Sequence, residues 1–209
     1  MRIIVAVILL FFAVTLEAQD TVRIKHKNYQ TVFSKARKYP VRVEWVVTKK
    51  KLTCKVPVKR YDKFEPDPEL YSESNVGASY FSSGFDRGHI SPAADARCDA
   101  VSMQESFYFT NMAPQYPGLN RGQWKELEEW TREQALVHDS IKVSAGCIGN
   151  KQKVKAITVP THCWKVIQIT KQKTTLGFVF PNQPEKTVSF EQHKVSLDSI
   201  KKLTKFTFK

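Results

Sequence analysis

Hydrophobic and polar positions alternate most cleanly where Val41, Val43 and Trp45 are separated by Arg42 and Glu44. A period of two sends one set of side chains to a core face and the other towards water, the mark of a half-buried strand. A similar run begins at Tyr29, and the two are parted by turn chemistry at Lys38-Tyr39-Pro40. Glu65 to Asn75 is acidic and Pro-bearing and reads as loop, after which strand character returns from Ser106 to Pro114. The period then changes. Trp124, Leu127, Trp130, Leu136 and Val137 recur at roughly helical spacing between Asn120 and Asp139, which predicts the longest helix. Asn120 is a candidate cap, with Gln123 completing a capping-box-like pair. Beyond it, "IKVSAGC", "KAITVP", "CWKVIQI" and "LGFVFPN" are rich in β-branched and aromatic residues and predict strands. "SLDSIKKLTKF" predicts a short closing helix. The order gives an α+β class: a mainly antiparallel sheet flanked by helices, with one prominent helix between two groups of strands.

The N-terminus has a different pattern. Met1-Arg2 precedes an apolar run from Ile3 to Leu16, and Leu16-Glu17-Ala18 offers a cleavage point before Gln19. This is the layout of a secretory leader, so the expectation is a signal peptide over 1–18, a single domain over 19–209, and a secreted or periplasmic location. The run is shorter than the roughly 20 apolar residues of a spanning helix, which argues against stable membrane insertion.

A formal net charge of +13 suits nucleic acid, an anionic surface, or no specific partner. The lysines are scattered, and each cluster alone reads as a solvated edge. Four cysteines, Cys54, Cys98, Cys147 and Cys163, contain no C-x-x-C pair, so zinc-ribbon spacing is absent and two disulfides are expected in an oxidising compartment. Cys147 with Cys163 is the favoured pairing, because both fall on apparent strands joined by a turn near Gly149 to Ala156; Cys54 with Cys98 follows.

The densest chemistry is Asp86-Arg87-Gly88-His89. In an extended segment Arg87 and His89 share a face, and Gly88 permits close backbone approach. An imidazole can act as a general base at neutral pH, and a guanidinium can hold a phosphate oxygen. Alone, this tetrad is as readily a structural charge cluster. Asn120 alone is more readily a helix cap, Glu128 a solvated charge, and Asn111 a turn former. Asp86 has no assigned role. His138, His162 and His193 read as ordinary histidines, and Trp124 and Trp130 as packing residues.

Taken together, "DRGHISPAADA", "NMAPQ" and "LNRGQWKELE" resemble, in order and spacing, the non-specific DNA/RNA endonuclease family that includes mitochondrial endonuclease G. The resemblance extends to "VPTHCWKVI" and "FVFPN" and covers most of 19–209. It implies a ββα-metal (His-Me finger) fold and metal-dependent hydrolysis of DNA and RNA to 5′-phosphate and 3′-hydroxyl ends. On that resemblance His89 is the general base and Asn120 the direct ligand of Mg²⁺, with Mn²⁺ or another divalent cation as a substitute. Glu128 acts through a metal-bound water, and Arg87 clamps the phosphate. Asn111 supports the site by hydrogen bonding. Arg60, in "RYDKF", is a second phosphate contact; Arg132 is a further substrate contact and an i, i+4 partner of Glu128. Where family members commonly read Thr-Gly-Pro, this chain has Ser144-Ala145-Gly146-Cys147. The rival expectation is a non-catalytic protein on the same fold that binds nucleic acid or an anionic surface.

Overall fold

The computed structural model describes residues 20–184 and 189–208; the leader expected over 1–18 lies outside them. Seven strands form one antiparallel sheet in the order β1 (Thr21–Lys25), β2 (Tyr29–Ser34), β3 (Tyr39–Thr48), β6 (Ser140–Ile148), β9 (His162–Ile169), β10 (Thr174–Pro181) and β11 (Lys194–Val195). Two small antiparallel pairs lie apart from it: β4 (Asp86–His89) with β5 (Met112–Gln115), and β7 (Gln152–Val154) with β8 (Ile157–Val159). The helices are α1 (Ala100–Glu105), α2 (Pro117–Arg121), α3 (Gln123–His138) and α4 (Leu197–Thr204), with shorter helical turns in the loops. Among the described residues no helix is long and apolar enough to cross a membrane.

The alternation in β3 does what its period implies. Val41, Val43, Trp45 and Val47 are buried, while Arg42, Glu44, Val46 and Thr48 are half-buried. The buried set continues across the sheet through Ile141 and Val143 of β6 and Ile167 of β9, and packs against Trp124 and Leu127 of α3. Burying one such side chain contributes about 1.5–3 kcal/mol. On the opposite face Trp164 and Val166 pack against Ile200 of α4 and the C-terminal Phe206 and Phe208. Ser196 caps α4 by accepting from the Ser199 amide at 3.1 Å.

Both expected disulfides are present, Cys54–Cys98 and Cys147–Cys163. Cys147 and Cys163 stand opposite one another in the β6–β9 register, with the β7–β8 hairpin in between.

Four local expectations need correction. The first turn lies at 35–38, with Lys38 at φ 61°, so Tyr39 and Pro40 already belong to β3. Glu65 to Asn75 carries short helical turns at Pro68–Leu70 and Tyr71–Ser74. In Ser106 to Pro114 only Met112–Pro114 is strand, because Phe109–Asn111 folds as a 3₁₀ turn. The long helix begins at Gln123 and buries Trp124, Leu127, Thr131 and Ala135. Leu136 and Val137 are exposed, because the packed stripe advances by three or four residues and passes through Thr131 and Ala135.

Candidate active site

The β4–β5 pair and the α2–α3 segment lie against one face of the sheet and carry most of the motif residues. In β4–β5, Asp86 is opposite Gln115 and Gly88 opposite Ala113. A Cβ on Gly88 would lie 2.0 Å from Oε1 of the fully buried Gln115, so glycine leaves this strand room beside that side chain. The backbone around His89 is held from several sides. Trp124 Nε1 donates to the His89 carbonyl at 3.1 Å, and the Ile90 amide donates to the Asn111 carbonyl at 3.0 Å.

Asn111 is fully buried. Its Oδ1 accepts from the Ser91 amide at 2.9 Å, and its Nδ2 donates to the carbonyls of Ser91 and Ser106 at 2.8 Å each. It ties down the segment that follows His89 and is not among the residues lining the cleft.

Arg60, His89, Asn120, Arg121, Glu128 and Arg132 line a single cleft of about 450 Å³. A larger hollow of about 730 Å³ lies elsewhere, over the region of Lys25, Arg42, Lys51 and Lys142, away from the tetrad. Arg87 is exposed and does not line the cleft, yet it shares a neighbour with His89. Its guanidinium lies 4.2 Å above the Phe64 ring, and the His89 and Phe64 rings are 5.6 Å apart. Arg60 donates to Asp62 at 2.6 Å and covers the Phe107 ring at 4.9 Å. Phe107 in turn meets the His89 ring edge-on at 4.9 Å.

This setting disfavours a charged imidazole. Burial pushes His89 down to about 3, and the charges of Arg60 and Arg87 act in the same direction. His89 Nε2 is buried without a hydrogen-bond partner. A neutral imidazole beside two cations keeps a lone pair for a proton.

Asp86, unassigned by sequence, organises the opposite side. Its carboxylate accepts from Asn120 Nδ2 at 2.9 Å and takes both Arg121 Nε and a terminal nitrogen, at 2.8 and 2.6 Å. Burial alone would raise the Asp86 carboxyl, but these hydrogen bonds and the charges of Arg121 and Arg87 hold it below the usual carboxylate range. A carboxylate can only accept, so the Asn120 amide nitrogen is fixed towards Asp86 and its Oδ1 is left for the cleft. The expected capping role of Asn120 is not found. Asn120 lies inside α2, and α3 starts after Gly122, which supplies no side-chain cap.

Glu128 is not the solvated charge that its helical position suggested. Its carboxylate lies 3.8 Å from Nζ of Lys165, a β9 lysine that is 1% exposed. Arg132, expected to pair with Glu128, makes its ion pair with buried Asp95 at 3.3 Å, and Asp95 also accepts from Trp45 Nε1 at 2.8 Å. Burial raises the Glu128 carboxyl, while Lys165 and Arg132 oppose that rise. Lys165 and Asp95 escaped the sequence reading. The available signal was parity, because Lys165 occupies the same strand face as Cys163 and Ile167.

The family model described as "DNA/RNA non-specific endonuclease" matches residues 10–209. "Nuclease 1, mitochondrial" of Schizosaccharomyces pombe is 32% identical over 190 residues, covering 78% of this chain and 57% of that protein. "Nuclease" of Nostoc sp. is 33% identical over 165 residues, 71% of this chain and 60% of that protein. "Endonuclease G, mitochondrial" of Bos taurus is 32% identical over 164 residues, 69% and 55% respectively. The chain thus spans less than two thirds of the length of these relatives. A chain from the solved EndoG/EndoGI complex superposes with a TM-score of 0.79 at 24% identity, covering 89% of this chain and 84% of that one, and agrees with the α+β fold. The expected secreted or periplasmic location is corrected by the same comparison, since most of the similar nucleases are mitochondrial by name.

Proposed function

The chain belongs to the DNA/RNA non-specific endonuclease family, and from that premise we propose that it is a metal-dependent endonuclease. It hydrolyses phosphodiester bonds of DNA and RNA with little sequence preference and leaves 5′-phosphate and 3′-hydroxyl ends. One observation carries the reading: His89, the Asn120 amide fixed by Asp86, and Glu128 line the same cleft with Arg60. The net charge of +13 supports the same substrates, because phosphate contacts supply sequence-independent affinity.

The donors suit a hydrated hard cation. Among the described residues no group of three or more His, Cys, Asp or Glu side chains is placed to hold a metal, and the cleft offers one neutral amide oxygen with a carboxylate nearby. Mg²⁺ keeps several waters and takes few protein oxygens, so Asn120 Oδ1 would hold it, with Glu128 accepting from its waters. Once bound, the ion neutralises the phosphate and stabilises charge on the departing 3′ oxygen. Mn²⁺ is the natural substitute.

The remaining roles fall to the protein. His89, half-buried and kept neutral beside two arginines, takes the proton from the attacking water. Arg87 and Arg60 flank the imidazole and hold the non-bridging oxygens, where charge grows in the transition state. Arg132 widens the cationic lining while Asp95 fixes its direction. Asn111 keeps the segment after His89 in place. Asp86 acts through Asn120 and does not touch the substrate.

The deciding experiment is cleavage of plasmid DNA and of a long RNA by the disulfide-bonded protein, with Mg²⁺, with Mn²⁺ and with EDTA. His89→Ala and Asn120→Ala are assayed beside it. Cleavage of both polymers that EDTA abolishes, reduced at least 10²-fold by His89→Ala, is expected. Intact DNA and RNA under every divalent ion would leave the fold as a binding protein and end the enzyme reading.

A further inference from the structure

Lys165 is a lysine in a position built for an apolar side chain. It lies on β9 between Cys163 and Ile167, both fully buried on the face that packs under α3, and it is itself 1% exposed. An ammonium removed from water is costly unless its charge is met, and a well-packed hydrophobic residue of similar volume commonly does better for stability. Its surroundings suggest what it does. Nζ lies 4.0 Å from the centre of the Trp124 ring and 3.8 Å from Glu128 Oε1. The first is a cation–π contact. The second is ion-pair range, too long for a direct hydrogen bond.

One neighbour lines the cleft and the other holds a residue that does. Glu128 lines it, and Trp124 donates its indole N–H to the His89 carbonyl. Arg132, whose charge also acts on Glu128, makes its ion pair with Asp95, which Trp45 also holds.

We propose that Lys165 is a positioning residue. From the sheet surface beneath α3 it fixes the direction of the Glu128 carboxylate, with its ammonium held over the Trp124 ring. It touches neither substrate nor scissile bond. The inference rests on the functional reading above and adds to it a residue outside the DRGH, N-x-x-P-Q and L-N-x-x-x-W-x-x-L-E motifs.

The test is a double-mutant cycle of Lys165→Met, Glu128→Gln and the pair, read in two ways. In cleavage assays Lys165→Met is expected to lower kcat by about 10–100-fold, the usual scale for residues that orient a metal-site group, with KM changed less than about threefold. Added to Glu128→Gln it is expected to lower kcat less than about twofold further, because residues acting as a unit are not additive. In denaturant unfolding, which needs no activity, Glu128→Gln alone takes from the buried ammonium its ion-pair partner and leaves only the more distant charge of Asp95, so the double variant is expected to be more stable than that single one. This reading also covers a Lys165→Met protein that folds poorly. Multiplying kcat losses, or a double variant no more stable than Glu128→Gln, overturn the proposal while wild-type cleavage stands. A wild type that cuts neither polymer overturns the functional reading, and this inference with it.

Discussion

Asn120 Nδ2 donates to Asp86 Oδ2 at 2.9 Å, joining the first residue of the DRGH strand to a short helix 34 residues later. The bond decides which end of a symmetric-looking amide faces the cleft. Asp86→Ala removes that constraint and frees Arg121 as well. The expected outcome is a 10–100-fold rise in the Mg²⁺ concentration that supports half-maximal cleavage, the range for loss of a group that orients a ligand. A magnesium titration at fixed plasmid concentration checks this, and an unchanged half-saturation point would detach Asp86 from the metal side of the site.

Gly88 faces buried Gln115, whose Oε1 and Cδ lie 2.0 and 2.5 Å from the position of an added Cβ. Gly88→Ala therefore either forces β4 from β5 or displaces Gln115. Overpacking of this kind destabilises by about 1–3 kcal/mol. Urea unfolding should show that loss in the wild-type background and a smaller one in a Gln115→Ala background, since the obstructing atoms are then gone.

Acid stability should carry the mark of His89. Burial holds its folded-state value at about 3, against about 6.5 for an exposed imidazole. Between those values the unfolded chain binds a proton that the folded chain refuses, so this contribution is complete above about pH 6.5 and is lost progressively down to about pH 3. Unfolding free energies from pH 7 to pH 4 should fall less steeply for His89→Gln than for wild type. Parallel curves would mean that the imidazole is not kept neutral by the fold.

The two disulfides close loops of different length, with separations of 44 residues for Cys54–Cys98 and 16 for Cys147–Cys163. Chain entropy alone gives about 4 and about 3 kcal/mol. Cys147 and Cys163 are both fully buried, so removing that bridge adds a packing loss. Guanidinium titrations of the two double Cys→Ala variants should each show a loss of that order. A loss below about 1 kcal/mol in either would show that its bridge does not constrain the unfolded chain.

Much of this molecule was legible in its order of residues. Period-two alternation marked β3, β-branched runs marked β6, β9 and β10, and the combined motif spacing identified the family, because these signals are local or repeat at fixed separations. The limits were local as well. The long helix was recognised, but its start and its buried stripe were misplaced, because the break at Gly122 and the packing of Thr131 and Ala135 depend on the sheet beneath. Trp130, read as a packing residue, does pack, partly buried against the core and beside the Phe190 ring. Asp86 and Lys165 had no readable role. One is defined by a bond to Asn120, the other by buried contacts with the Trp124 ring and the Glu128 carboxylate. Which carboxylate meets which cation, and which amide end faces the cleft, are set by side chains brought together from different strands and helices, so tertiary structure alone decided them.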